Sequence, residues 1–375
     1  MNIYTEDQLS LKKMVHEFME KEVAPIMVEC DRKGEPPMDA YQKAFDLGFH
    51  LMEIPEKYGG LGMSVLDYIV TKEEMAATDA GFGTGLGAAD LAVKMVMKNG
   101  TEEQKQYFTD FIAPGRFAAF CLTEPQAGSD AASVRMTAAR DGDSYVLNGT
   151  KCFITNGGIA DIFVVIAATD KSKGPKGLSA FLVERSMGVK SGKEEDKFGI
   201  RLSNTSDVIF EDVRVPAANM IGPEGTGFSA AMKTLELGRI ACAAGAVGVM
   251  RHAVELCTEY VKTRKTFGVP IGKHQAVSFM LADMKIAEET ARQMTYHAAR
   301  LADAGLPCTL ESAIAKTYAS DAAMKVTTDA VQIYAGYGYS REYPIEKLMR
   351  DAKIHQIYEG TNQIQRVIIS GGMLR

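Results

Sequence analysis

Apolar positions recur at helical spacing through the first hundred or so residues. The stretch "LSLKKMVHEFMEKEVAPI" predicts a helix that stops at Pro25, and "MDAYQKAFDLGF", "VLDYIVTKEEMAATDA" and "TEEQKQYFTDFI" predict three more. Between them "PEKYGGLGM" reads as a loop. From about residue 115 to 220 the pattern changes. "SYVLNGTKCFITNGG", "DIFVVIAATD", "LSAFLVER" and "SDVIFEDVRVP" are rich in β-branched and aromatic residues and bounded by turn signals, which predicts strands. The Asn148-Gly149 and Asn156-Gly157 pairs predict tight hairpin-type turns. From about 225 onward, "GFSAAMKTLELGRIACAAGAVGVMRHAVELCTEYVKTR", "HQAVSFMLADMKIAEETARQMTYHAARLADAG" and "TLESAIAKTYASDAAMKVTTDAVQIYAG" are each far longer than a mean helix and need mutual packing. The expected fold is α+β with segregated layers: an N-terminal all-α domain (1–114), a middle β domain of barrel or sandwich type (115–222) and a C-terminal four-helix bundle (223–375).

Composition narrows the classes. The chain is 46% hydrophobic and 24% charged, as an ordinary globular protein is. No apolar run approaches the roughly 20 residues of a membrane span, and "MNIYTEDQLSLKKMVHEF" lacks the basic-then-apolar layout of a secretion signal. A net charge of −6 argues against nucleic acid as the main partner. Cys30, Cys121, Cys152, Cys242, Cys257 and Cys308 are scattered with no CxxC pair, which fits a reducing cytoplasm. None of the six histidines lies in an HExxH arrangement, so no metal is expected.

Three stretches carry candidate chemistry. "GFGTGLGA" matches a dinucleotide fingerprint at Gly83, Gly85 and Ala88, but the fingerprint works only after a strand, and here a helix precedes it. Close helix packing, or a bend beside a ligand, is the better reading of these glycines. "FCLTEPQAGSD" (Phe120 to Asp130) offers the Thr123 and Ser129 hydroxyls and glycine N–H groups in a loop whose path Pro125 fixes. Such a loop holds carbonyl or phosphate oxygens, or is simply a well-made turn. In "KIHQIYEGTNQIQRVII" a lone carboxylate, Glu359, stands between Tyr358 and Gly360. Ile364, Val367 and Ile368 announce a helix with Thr361 as its N-cap. On these residues alone, Glu359 is a charge favoured by the start of that helix.

The motifs "LTEPQAGSDA", "KCFITNGG", "RKTFGVPIGKHQ" and "QIYAGYGYSREYPIEKLMRDAKIHQIYEGTNQIQR", in that order along a helix–β–helix chain, resemble the acyl-CoA dehydrogenase family over essentially the whole length. The resemblance implies FAD as cofactor and an acyl-CoA thioester as substrate. Phe120, Leu122, Thr123, Gly128 and Ser129 would contact the flavin, Ser129 also lying near the CoA, and Phe153, Ile154 and Thr155 would line the flavin ring. Arg264, Thr266, Phe267, His274 and Gln275 would meet the pyrophosphate and adenosine side from a neighbouring subunit, and Gln332, Ile333 and Gly336 likewise. Thr361 and Gln363 would hold FAD just after the catalytic residue. Glu236, Arg239, Tyr358 and Gly360 would border the substrate.

Glu359 then becomes the base that takes the α-proton while the β-hydrogen leaves as hydride to the flavin. Some members carry the base near "LELGR", where this chain has Gly238. Three positions depart from the family's habit: Phe153 stands where Trp is usual, Ala335 where Gly is common, and Asp90 near the acyl end where small or mildly polar residues are usual. Asp90 as a second acid/base group or polar contact keeps cyclohexane- or cyclohexene-carboxyl-CoA in view beside butyryl-CoA. The resemblance also implies an electron-transferring flavoprotein as acceptor and a homotetramer built as a dimer of dimers. Other readings are an enoyl-CoA reductase working in reverse, an acyl-CoA oxidase and a flavin-free helical scaffold. Oxidase chains are usually much longer, and the motifs argue against the scaffold.

Overall fold

The computed structural model describes residues 4–374. Seven helices form the first layer: α1 (Glu6–Phe18), α2 (Met27–Lys33), α3 (Met38–Asp46), α4 (Val65–Thr78), α5 (Ala80–Leu86), α6 (Ala89–Asn99) and α7 (Glu102–Ile112). Local sequence sets their ends. Thr5 and Gln8 make a reciprocal capping box at the start of α1, and Thr101 and Gln104 repeat it at α7. Helix α1 widens into a π turn over Met19–Val23 before Pro25 ends it. Helices α4 and α5 are separated by extended Asp79, whose carboxylate accepts from Phe82 N at 2.7 Å and so starts α5. The glycines of "GFGTGLGA" fall inside α5 or just after it, with no strand before them. Phe82 of α5 stacks on Tyr41 at 4.6 Å, and the Tyr41 hydroxyl donates to Leu202 O at 3.1 Å. Of the two sequence readings, close helix packing or a bend beside a ligand, this stretch fits the first, and it also packs on the segment ahead of β7.

Eight strands follow: β1 (Ala118–Cys121), β2 (Thr137–Asp141), β3 (Ser144–Thr155), β4 (Ile162–Ala168), β5 (Leu178–Glu184), β6 (Lys190–Glu194), β7 (Thr205–Pro216) and β8 (Met220–Ile221). They form one sheet in the order β6-β7-β3-β2-β4-β5-β8, with β1 pairing parallel to β4. Strand β4 is buried at every position, which explains its unbroken apolar sequence "IFVVIAA". One turn expectation needs correction. Asn148-Gly149 lies inside β3 at an irregularity in its pairing with β7, where Asn148 accepts from Asp212 N at 2.8 Å and donates to Asp212 Oδ1 at 3.0 Å. The hairpin is made instead by Gly142 and Asp143, between the paired residues Asp141 and Ser144. Asn156 does turn the chain, in the left-handed region at φ 61°. No hairpin follows, because β3 pairs with β2 and β7 rather than β4. Its side-chain amide donates to Gly85 O at 2.8 Å and ties the sheet to α5.

The last layer holds α8 (Gly227–Thr263), a short ribbon of β9 (Lys265–Thr266) and β10 (Val269–Pro270), α9 (Gln275–Asp303), α10 (Thr309–Tyr334), α11 (Ile345–Ile354) and α12 (Asn362–Met373). Helices α8, α9 and α10 pack on one another, and α10 also carries α11 and α12. The small buried run Ala243, Ala244, Gly245 and Ala246 lets neighbours approach α8 closely. Helix α8 is the one helix among the described residues long and apolar enough by composition to cross a bilayer, but 72% of its apolar window is buried inside the protein. It is a core helix.

Candidate active site

Glu359 sits in the link between α11 and α12 with φ 56°, a conformation that costs a non-glycine residue energy and persists only where its surroundings hold it. They do. The carbonyls of Glu359 and Gly360 are both gripped by Gln365, whose Nε2 donates to Glu359 O at 3.1 Å and Gly360 O at 2.9 Å. The fully buried Lys316 of α10 donates to Gly360 O at 2.8 Å and to Asn362 Oδ1 at 2.8 Å. Thr361 caps α12, accepting from Ile364 N at 3.3 Å. The helix-start reading of this segment therefore holds for Thr361. Glu359 lies ahead of the cap, with its side chain turned toward α8.

The carboxylate is aimed at α8. A Cβ on Gly238 would stand 2.5 Å from Glu359 Oε2 and 2.9 Å from Leu91 Cδ2, so any side chain at 238 would evict the carboxylate. Oε2 is buried and has no hydrogen-bond partner among the described residues. Burial pushes the Glu359 carboxyl above the ordinary carboxylate range, against the pull of the Arg239, Lys94, Lys316 and Lys72 charges. Arg239 is itself buried, with an unpartnered Nε. Glu236, one turn before it, accepts from the Thr309 hydroxyl at 2.6 Å. Tyr358 borders the base, its ring 5.4 Å from that of His355. Asp90, at the start of α6, is close enough to feel the Glu359 charge: burial holds its carboxyl well above the usual range against the pull of Lys94, and the Glu53 and Glu359 charges push it the same way as burial.

On the sheet side, the loop after β1 is anchored by a buried ion pair. Lys151 Nζ donates to Glu124 Oε1 at 2.7 Å and to Leu122 O at 3.0 Å. The Glu124 carboxylate also accepts from Arg135 N at 2.8 Å and Met136 N at 3.1 Å. This frame leaves the Thr123 side chain half-buried and Gly128 and Ser129 exposed at the loop's tip. Phe120 is half-buried and Leu122 buried. On β3, Phe153 is 65% exposed and held at φ 55°, while Ile154 is buried and Thr155 half-buried.

All the remaining predicted residues but Gln363 gather at the far end of α8. Arg264 closes that helix with its guanidinium 5.4 Å from the Tyr337 ring. With Tyr260, Thr263 and Tyr343 the two line a cavity of about 240 Å³. Thr266 and His274 share a hydrogen bond of 3.0 Å across the ribbon. Phe267, at its tip, is 97% exposed, and Gln275 and Gln332 are exposed. Ile333 is buried, Gly336 is exposed, and Ala335 takes φ 54°, which explains why glycine suits that position. Gln363 is exposed on the first turn of α12.

Sequence reasoning did not single out Lys151, Glu124, Lys316 or Gln365. The available signal was a lysine inside the strand pattern "GTKCFIT", where a buried cation demands a carboxylate partner.

A shielded carboxylate without a partner among the described residues, facing a bare glycine on α8, is a group able to take a proton. Models of the acyl-CoA dehydrogenase N-terminal, middle and C-terminal domains match residues 5–116, 119–213 and 225–374. The short-chain specific acyl-CoA dehydrogenase of Clostridium acetobutylicum is 46% identical over 374 residues, which is 99% of each chain. Butyryl-CoA dehydrogenase from Megasphaera elsdenii superposes with a TM-score of 0.97 at 47% identity, covering both chains completely. A chain from a structural study of the electron transferring flavoprotein of Acidaminococcus fermentans matches with a TM-score of 0.98 at 48% identity, again over both whole chains. The chain belongs to the acyl-CoA dehydrogenase family, whose cofactor is FAD. The residues present fit that group: an exposed ring at Phe153 for the flavin side, and a guanidinium beside tyrosine rings in a cavity for a nucleotide diphosphate.

Proposed function

We propose that this enzyme dehydrogenates a short-chain acyl-CoA across Cα–Cβ, with Glu359 as the base. The observation that carries the reading is the Glu359 Oε2 atom, buried and without a partner. A base must be poorly hydrated so that it holds a proton well, and burial raises the proton affinity of Glu359 while the Arg239, Lys94, Lys316 and Lys72 charges favour its charged form. Gln365 and Lys316 occupy the carbonyls on either side of Gly360, so the peptide is fixed before substrate arrives. FAD, when bound, supplies the acceptor for the β-hydride. Thr123, the 128–129 tip, Phe153, Thr155, Thr361 and Gln363 are assigned to its flavin side. Arg264, Thr266, Phe267, His274, Gln275, Gln332 and Gly336 are assigned to the dinucleotide of a neighbouring subunit, with Ile333 contributing backbone only. Glu236, Arg239, Tyr358 and Ser129 border the CoA thioester.

The assembly proposed is a homotetramer of three-domain chains divided at 114/115 and 222/223. Exposed Phe267, Phe279, Ile286 and Tyr339 support burial by further subunits. An electron-transferring flavoprotein is the proposed acceptor, and the cytoplasm the proposed compartment, in keeping with six unpaired cysteines. The test is colour. The purified protein should be yellow, with about one FAD per chain, and should bleach anaerobically on adding a saturated short-chain acyl-CoA. A flavin-loaded protein that no acyl-CoA bleaches would overturn the reading.

A further inference from the structure

Phe153 and Thr155, assigned to the flavin, stand on the sheet, while Glu359 stands between two helices of the last layer. One segment of backbone ties the two places together. Residues 197–204 link β6 to β7. At one end the segment joins the sheet beside the end of β3: Thr205 pairs with Thr155, and Asn204 O accepts from Asn156 N at 2.9 Å. In its middle it lies on α11. A Cβ on Gly199 would stand 2.3 Å from Arg350 O and 2.7 Å from Asp351 N, so backbone meets helix backbone with no room for a side chain. The chain leaves α11 at Ile354 and reaches Glu359 through a turn in which Tyr358 N donates to Ile354 O at 3.0 Å.

Buried charge fastens this contact. Asp351, fully buried on α11, accepts from Ile200 N at 2.6 Å through Oδ1 and from Lys347 Nζ at 2.5 Å through Oδ2. Lys347 Nζ also lies 2.6 Å from Oδ2 of Asp79, the residue that starts α5. Beside them Arg350 donates to Phe198 O at 3.1 Å and to Asp31 Oδ2 at 2.7 Å. Elements from all three layers therefore meet at α11, one turn ahead of the base. Ile200 is held at φ 46°, a strained conformation for a residue with a side chain, and it persists because its surroundings fix it. A carboxylate bonded to its N–H is a strong, charge-assisted hold. Buried ion pairs add little net stability, and their best-attested use is to fix a register. The register fixed here is that of the 197–204 segment on the helix that leads to Glu359.

We propose that the 197–204 segment is a strap that sets the reach between the base and the flavin edge of β3, with Asp351 as the positioning residue for Glu359. Taking the α-proton needs only the base in contact with Cα. Oxidation needs that contact and the flavin edge in register at once. Loosening the strap should therefore uncouple the two events, leaving proton removal while oxidation falls. This rests on the reading of Glu359 as the base and of Phe153 and Thr155 as the flavin side.

The experiment reads two rates on the FAD-loaded enzyme with butyryl-CoA in D2O. Deuterium entering Cα of recovered substrate reports the base, and anaerobic flavin bleaching reports base and flavin edge together. Wild type should bleach at least as fast as it exchanges. Asp351→Ala frees the strap from the helix side, and Gly199→Ala wedges it off α11 with every ion in place. In both, the ratio of exchange to bleaching should rise at least about tenfold, since a misplacement of about 1 Å can cost about 10²-fold in rate. Asp351→Asn keeps an acceptor for Ile200 N and should restore most of the coupling. Amide hydrogen exchange gives a reading free of turnover: in Gly199→Ala the amides of residues 355–360 should exchange about tenfold faster, although the substitution lies on the strap. Flavin content and melting temperature identify a variant that has failed to fold, and if Asp351→Ala fails, Gly199→Ala carries the test. An unchanged ratio, equal losses of exchange and bleaching, an Asn variant no better than Ala, or unaltered amides at 355–360 would overturn the inference while leaving acyl-CoA oxidation intact. Wild type that no acyl-CoA bleaches would overturn the reading of the site, and this inference with it.

Discussion

At the scale of single residues, the working parts are a carboxylate that pays for its position and a glycine that leaves it room. Glu359→Gln keeps the shape and the φ of 56° but cannot take a proton. It should bind acyl-CoA and lose flavin reduction by about 10²–10⁴-fold, the ordinary worth of a general base, as stopped-flow bleaching would show. The same variant makes a stability prediction. The folded-state pKa of Glu359 is raised above its ordinary value of 4.5, so the folded protein holds this proton more tightly than the unfolded chain. That advantage is complete below about pH 4.5 and is lost as pH rises through the raised value. The neutral Gln variant should therefore unfold at higher denaturant than wild type at pH 7, and the gap should close below pH 4.5. A constant gap across that range would place the effect in packing rather than ionisation. From the residues alone Glu359 read as a helix-start charge. The family resemblance named it as base, and its burial, strain and lack of a partner could not be seen in sequence, because they depend on α8, α10 and α6 converging from distant positions.

Between residue and fold stands the element, and here the legible part was periodicity. The long helices α8, α9 and α10 and the strands β3, β4, β5 and β7 were plain, because each repeats its pattern long enough to be read. The short elements β1, β2, β6 and α6 were not singled out. Four or five residues such as "AAFC" or "KSGKE" carry too little pattern, and their pairing is decided by long-range neighbours. Asn148-Gly149 misled for a related reason: an Asn-Gly pair serves a bulge as readily as a hairpin, and pairing with β7 decides which. The element that most needs its buried polar pair is the loop after β1. Lys151→Met should leave Glu124 buried and uncompensated, costing about 3–5 kcal/mol in denaturant unfolding. It should also loosen flavin binding, because Leu122 and Thr123 lose their fixed path. Normal stability with normal flavin content in this variant would mean the loop is held by other contacts.

For the whole molecule, the exposed aromatics of the ribbon and α9 extend the proposed site beyond a single chain. Arg264→Ala should weaken FAD retention and subunit assembly together, measured by flavin content after gel filtration and by light scattering. A monomer that keeps FAD tightly would contradict a shared dinucleotide site. The 37 unbroken residues of α8 carry a further consequence. At about 1.5 Å and 100° per residue, this one rod fixes both the distance and the angular phase between Gly238 and Arg239, beside the base, and Arg264 at its other end. Point changes along its buried face can be absorbed by repacking. A single inserted or deleted residue cannot, since it would turn one end against the other by more than a quarter of a revolution. The lineage of this chain is thus free to vary what lines the rod, but its count of residues is a calibrated length, inherited whole or not at all.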